Sequence, residues 1–259
     1  MNKVLFYISY GWRVAATGVC FSLFGLGALV LSLGWFNLLS LAVRDRERRL
    51  RMARRSISLS FRLFLRICSL LQVFDYRFEG FEKIGWDRGV LLVANHPTLV
   101  DYVLIASRLP EADCLVKSGL MRNPFLRGVV KSADYLVNDR HEALLLESGE
   151  RLGRGENILI FPEGTRTTPG SGIKLKRGCA NIALRCHCDI RIINIKCSEY
   201  YLTKNTKWYH LPVRKPHFTV NAGERISIET FMQEHQASAM PLLARRLTSF
   251  LKPQLEFNL

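Results

Sequence analysis

The chain has 259 residues, enough for one sizeable α/β domain with an appendage. Its 48% apolar content supports a packed core and excludes a disordered chain. The 37 Lys and Arg against 22 Asp and Glu leave a net charge of +15, which predicts attraction to a polyanion, either nucleic acid or an anionic membrane surface.

The N-terminal region decides between those two. Val14 to Val43 carries no charged side chain. As one helix it would run about 45 Å, against about 30 Å for a bilayer's hydrocarbon core. It must therefore tilt, bend or turn back, and Gly25, Gly27 and Gly34 make a bent helix or a helical hairpin the expectation. Between Arg44 and Arg66 nine Arg follow, against Asp45 and Glu47 alone. A basic cluster directly after an apolar run reads as a membrane collar, and it predicts that the C-terminal side stays cytoplasmic. No nucleic-acid motif accompanies the charge. From Leu59 to Phe74, Arg62, Arg66 and Ser69 form one narrow polar stripe on a helix that is otherwise apolar. Such a helix lies in the membrane interface or packs on the domain that follows.

After Asp75 the texture changes, which divides the chain into an anchor with basic interfacial helices (1–75) and a catalytic domain (76–259). Tyr76–Glu79 reads as a short strand, and Val90–Ala94 as a strand buried on both faces. A helix from Leu99 to Arg108, a strand at Cys114–Val116, a helix near Asn123–Lys131 and a strand at Tyr135–Val137 follow. Next come a helix at His141–Leu152, a strand at Ile158–Phe161, a helix at Cys179–Cys186 and a strand at Ile190–Cys197. Phe218–Ala222 and Arg225–Ile228 are late strands, and Ala237–Leu251 closes the chain as a helix. This alternation predicts an α/β fold with a mixed, largely parallel sheet flanked by helices, preceded by a membrane-binding helical segment.

Two constellations carry chemistry. In Asn95-His96-Pro97-Thr98-Leu99-Val100-Asp101, His96 sits where the buried strand ends, the usual place for α/β sites. His96 is a candidate general base, and Asp101, about one turn into the next helix, can hold the imidazole's other N–H. Gly-x-Ser-x-Gly is absent, so the logical nucleophile is the acceptor's own hydroxyl. The other reading of the pair is a capping or core-satisfied histidine. The second constellation, Phe161-Pro162-Glu163-Gly164-Thr165-Arg166, directly follows a strand. Its glycine allows close backbone approach, and Arg166 suits bidentate phosphate contact, with Lys174, Lys176 and Arg177 close behind. An ordinary charged surface turn is the alternative. The seven Cys fit no disulfide framework, and Cys186-His187-Cys188 lacks a second pair at zinc spacing, so no metal site is expected.

His96-x4-Asp101 followed by Phe161-Pro162-Glu163-Gly164-Thr165-Arg166 resembles the glycerolipid acyltransferase family, whose best-known members are the 1-acylglycerol-3-phosphate acyltransferases. The resemblance covers roughly residues 76–230. It implies that His96 deprotonates an acceptor hydroxyl that attacks an acyl thioester, and that Asp101 supports His96. It makes Glu163, Gly164, Thr165 and Arg166 the acceptor-binding motif. A further family motif runs Gly-x-aliphatic-aromatic-aliphatic-Asp-Arg; here Asp134 to Arg140 keeps Asp139 and Arg140 but has Asp134 for the glycine and Asn138 for an aliphatic residue. Arg140 carries over as an acceptor-phosphate ligand. The family's proline within an aliphatic strand has no counterpart in Ile190–Cys197. The resemblance implies no cofactor beyond the thioester co-substrate, acyl-CoA or acyl carrier protein. It implies membrane lipid as partner, no nucleic acid, and a place on the cytoplasmic face of the inner membrane. Phospholipid synthesis with a lysophosphatidic acid-like acceptor is the leading expectation. A specialised lipid or pigment acceptor, or an inactive membrane scaffold, are the alternatives.

Overall fold

The computed structural model describes residues 3–138, 141–236 and 238–256. The uncharged N-terminal run does not turn back on itself. Helix α1 (Lys3–Leu29) passes through a π-helical stretch (Val30–Trp35) into α2 (Phe36–Ala42), forming one helical rod. Residues Tyr7–Ala42 are long and apolar enough to cross a membrane, with mean hydropathy 2.1. The reversal comes only after Ala42, where Asp45 caps α3 (Arg46–Leu70) by accepting a 2.6 Å hydrogen bond from the Arg48 N–H. The rod and α3 then form an antiparallel hairpin. Trp12 Nε1 donates to Leu71 O, the Cys20 and Cys68 sulfurs meet at 3.5 Å, Phe24 packs on Phe61 and Phe64, and Trp35 Nε1 donates to Ser56 Oγ. Gly128, in α5 (Arg127–Ser132), lets that helix close on the π stretch: a Cβ there would lie 2.4 Å from Ser32 Cβ.

The arginine cluster is not a free collar. Arg54 is buried, donating to Ala133 O and pairing with Asp113 at 3.2 Å and Glu156 at 3.3 Å. Arg46, Arg51 and Arg55 pair with Asp134, Glu47 and Glu111. Helix α3 also packs on the domain that follows, running along α4 (Asp101–Arg108) with Ser58 and Arg62 both donating to Ser107 O.

The sheet contains β1 (Asp75–Glu79), β2 (Leu91–Ala94), β3 (Asp113–Lys117), β4 (Leu136–Asn138), β5 (Ile158–Ile160), β6 (Ile190–Cys197) and β7 (His217–Ile226), in the order β1-β7-β6-β2-β5-β3-β4. β6 and β7 pair antiparallel and the other neighbours pair parallel. Side-chain alternation splits the core into two layers. Leu92, Ala94 and Leu159 face the hairpin and α4, whereas Leu91, Val93, Ile158 and Ile160 face α6 (His141–Gly153), α7 (Gly178–Arg185) and α9 (Met240–Leu255). Along β6 the same alternation places Ile190 and Ile192 in one layer and Ile193 and Ile195 in the other, while the bulge falls on β7, where Gly223 and Glu224 together oppose Ile192.

Three sequence expectations needed correction. The two late strands are one, and the chain beyond Ile226 starts helix α8 (Ile228–Glu234) because Ser227 caps it through the Thr230 N–H. The helix expected from Asn123 begins only at Arg127, after a 3₁₀ turn at Ser118–Arg122. The closing helix starts at Met240 and continues past Leu251 to Leu255. Asp134 explains one departure from the family motif. It adopts φ +53°, a left-handed conformation that glycine takes freely and aspartate tolerates.

Candidate active site

Register brings the two constellations together. In the β2–β5 pair Leu91 faces Ile158 and Val93 faces Ile160, so continuing the register past the strand ends sets His96 beside Glu163. The hydrogen bonds confirm it. The His96 N–H donates to Glu163 Oε1 at 2.9 Å, and the Thr167 N–H donates to His96 O at 2.7 Å. On the other side the Asn95 amide bridges to β6, donating to Ile195 O and accepting from the Ile195 N–H. The backbone at His96 is thus tied to both neighbouring strands of the sheet.

Asp101 is wholly buried at the start of α4. Its carboxylate accepts from His96 Nδ1 at 2.8 Å, from the Thr98 N–H at 2.7 Å and from the Thr98 hydroxyl. With Nδ1–H given to a carboxylate, Nε2 carries the lone pair, which is the tautomer a general base needs. The ring stacks at 4.4 Å on Phe161, the first residue after β5, and keeps 21% of its side chain accessible.

Glu163 points inward. It is 6% exposed, and Oε1 accepts from both the His96 N–H and the Thr167 hydroxyl, the latter at 3.0 Å. Burial outweighs these two bonds and raises its pKa above the ordinary glutamate value. The carboxylate therefore holds the two motifs together. Gly164 takes φ +65°, and a Cβ there would come within 3.0 Å of Lys176 Nζ, so the ammonium rests against the glycine. Thr165 is exposed at the turn. Arg166 spends Nη1 on Leu202 O and Thr203 O, at 2.9 and 3.0 Å, leaving three of the guanidinium's five N–H donors for a ligand. Leu202 itself has φ +50°, which turns its carbonyl toward both Arg166 and the Leu99 N–H. Arg140 lies outside the described residues. Lys174 and Arg177 are exposed and do not line the cavity described below.

His96, Phe161, Gly164, Thr165 and Arg166 open onto a cavity of about 640 Å³, within the usual size of small-molecule sites. Its far wall comes from the hairpin (Thr17, Cys20, Phe21, Phe24, Phe61, Phe64), so the N-terminal segment completes the site. Along β3 the lining runs from Cys114 to Lys117, about 10 Å at strand rise, so the cavity spans the sheet face from its amino toward its carboxyl edge. Lys117 is a site residue that the motifs did not reveal. Its only signal was a lysine at a strand's carboxyl end. Among the described residues no group of His, Cys, Asp and Glu is placed to hold a metal ion.

The family model named Acyltransferase matches residues 75–198. Over that stretch, just under half of its length, the chain is similar to the acyltransferase family. A putative 1-acyl-sn-glycerol-3-phosphate acyltransferase of Caenorhabditis elegans is 30% identical over 129 residues, 47% of this chain and 45% of that protein. The chain thus spans about half of that relative's length. The 1-acyl-sn-glycerol-3-phosphate acyltransferase of Helicobacter pylori is 28% identical over 197 residues, 67% of this chain and 82% of that one. The crystal structure of the 1-acyl-sn-glycerophosphate acyltransferase PlsC from Thermotoga maritima matches with TM-score 0.65 over 99% of each chain at 19% identity, so the two share a fold.

Proposed function

We propose that the protein transfers a fatty acyl group from a thioester donor, acyl-CoA or acyl carrier protein, to the hydroxyl of a lysophosphatidic acid-like acceptor in phospholipid synthesis. One observation carries this reading: a buried-carboxylate-oriented His96 opens onto a large, mostly apolar cavity rimmed by Arg166 and Lys117. His96 Nε2 takes the acceptor's proton as its oxygen attacks the thioester carbonyl. The carbon–sulfur bond then breaks, and the imidazolium returns the proton to the leaving thiolate. Asp101 stabilises the transient imidazolium. The cavity houses an acyl chain, while Arg166, Lys117 and Lys176 receive the acceptor phosphate, a role we extend to Arg140. Glu163 serves as a positioning residue.

The same reading places the protein on the cytoplasmic face of the inner membrane, with residues 1–75 as its anchor. Ile8, Trp12, Val19, Leu26, Val30, Leu33 and Leu41 recur at helical spacing and are each 50–81% exposed. A rod of 36 residues is about 54 Å long, well beyond a hydrocarbon core of about 30 Å. Its opposite face packs on α3, so a stripe along one side favours a rod lying in one leaflet.

The test supplies purified protein with labelled acyl donor and a panel of lysophospholipids, alongside His96→Ala. Transfer to lysophosphatidic acid that vanishes in the variant is the expected result. Absence of transfer to every lysophospholipid, from folded protein, would refute the acceptor and point to a specialised lipid.

A further inference from the structure

The long connection between β6 and β7 has no part in the catalytic scheme beyond Leu202 and Thr203, yet it is built unlike an ordinary loop. From Tyr200 to Pro216 it contains Lys204, Lys207, Arg214 and Lys215 and no acid. Lys215 pairs with Asp75, whereas Lys204, Lys207 and Arg214 have no acidic partner among the described residues. Its aromatic tip stands clear of the core: Trp208 and Tyr209 pack edge to face at 5.5 Å and are 43% and 39% exposed.

The tip is nevertheless fixed in place, and what fixes it is the apolar rod. Trp208 lies over Gly18, where a Cβ would meet the indole at 3.4 Å, and beside Phe21 at 6.1 Å. Arg13, a buried charge in that rod, donates through Nη2 to Pro212 O at 3.0 Å and Val213 O at 2.7 Å. Exposed indole and phenol rings beside an exposed apolar stripe, with Lys207 over the Tyr209 ring at 5.6 Å and no acid offsetting Lys204, Lys207 or Arg214 among the described residues, match the depth profile of a leaflet. Aromatic rings settle at the headgroup boundary and bases against anionic headgroups.

From this we infer that the β6–β7 connection is a second membrane-contact element, binding an anionic leaflet through Trp208, Tyr209, Lys204, Lys207 and Arg214. The inference rests on the reading of the rod as the membrane face and adds a separate site to it. Because the same connection holds Arg166 through the Leu202 and Thr203 carbonyls, the leaflet contact is tied directly to the headgroup end of the active site.

The experiment uses the full chain with Trp208 as sole tryptophan (Trp12→Phe, Trp35→Phe, Trp86→Phe) and a matching chain with Trp12 alone. Each is added to vesicles of phosphatidylcholine and phosphatidylglycerol whose acyl chains are brominated. Trp208 emission is expected to shift to the blue and be quenched. Lys204→Gln, Lys207→Gln and Arg214→Gln together are expected to weaken that quenching, by about fivefold in lipid concentration for each base removed. Quenching of Trp12 without Trp208 would overturn the second contact and leave the rod's membrane face standing. Failure of both to quench would overturn both readings. Should the triple Phe background not fold, hydrogen exchange of the wild-type chain decides: slowed exchange of the 204–211 amides on adding vesicles supports the contact, and unchanged exchange refutes it.

Discussion

Glu163 separates two accounts of the Phe161–Arg166 motif, one in which its carboxylate binds acceptor and one in which it shapes the site. In the structure Oε1 holds the His96 N–H and the Thr167 hydroxyl, and the group is 6% exposed. Glu163→Gln keeps an oxygen at that position and loses only the extra strength of a charged acceptor, about 1 kcal/mol, so kcat/KM should fall about fivefold. Glu163→Ala leaves two buried donors unsatisfied at about 1–3 kcal/mol each. It should lower unfolding free energy by several kcal/mol and activity far more than Gln does. The pH dependence has a definite sign. Burial raises the folded pKa, so Glu163's contribution to stability is present below the unfolded value and lost as pH rises through the folded one. Denaturant unfolding across that range should show the Gln variant gaining on wild type as pH increases. The assay pairs acyl transfer with these unfolding curves. A Gln variant that is fully folded yet as inactive as His96→Ala would refute the positioning role and show that the charge itself acts on substrate.

Other outcomes follow from the same geometry. Asp101→Asn cannot accept from His96, the Thr98 N–H and the Thr98 hydroxyl together, and turnover should fall about 10²–10⁴-fold, checked by steady-state kinetics. Arg166→Ala or Lys117→Ala should raise KM for a phosphate-bearing acceptor by about 10–100-fold while sparing a neutral acceptor such as a monoacylglycerol. Gly128→Ala drives a methyl into Ser32 and should cost about 1–3 kcal/mol of unfolding free energy, read from a denaturant midpoint.

Much of the α/β fold after Asp75 was legible because its signals are local. β2 is an unbroken apolar run, and His96 and Asp101 are five residues apart across one strand–helix junction, so both the strand and the pair could be read without knowing the fold. The juxtaposition of His96 with Glu163 was not legible, since it depends on β2 and β5 becoming neighbours, a matter of sheet order. Arg54 read as part of the membrane collar because it stands in a run of arginines directly after the apolar segment. Its burial against Asp113 and Glu156 depends on partners 59 and 102 residues away. Lys117 and the cavity walls depend likewise on the hairpin closing over the sheet. The motif's missing glycine could have been forgiven from chemistry alone, because aspartate is among the few residues that accept the conformation Asp134 adopts.

The central claim is that the acceptor's own hydroxyl, activated by His96, attacks the thioester directly. Thiol release from acyl-CoA, followed by rapid mixing with purified protein, tests it most directly. Without acceptor the account predicts neither a thiol burst nor acylated protein by mass spectrometry. With lysophosphatidic acid it predicts one thiol released per ester formed, and loss of both in His96→Ala. A stoichiometric thiol burst without acceptor, leaving an acyl group on the chain, would contradict it.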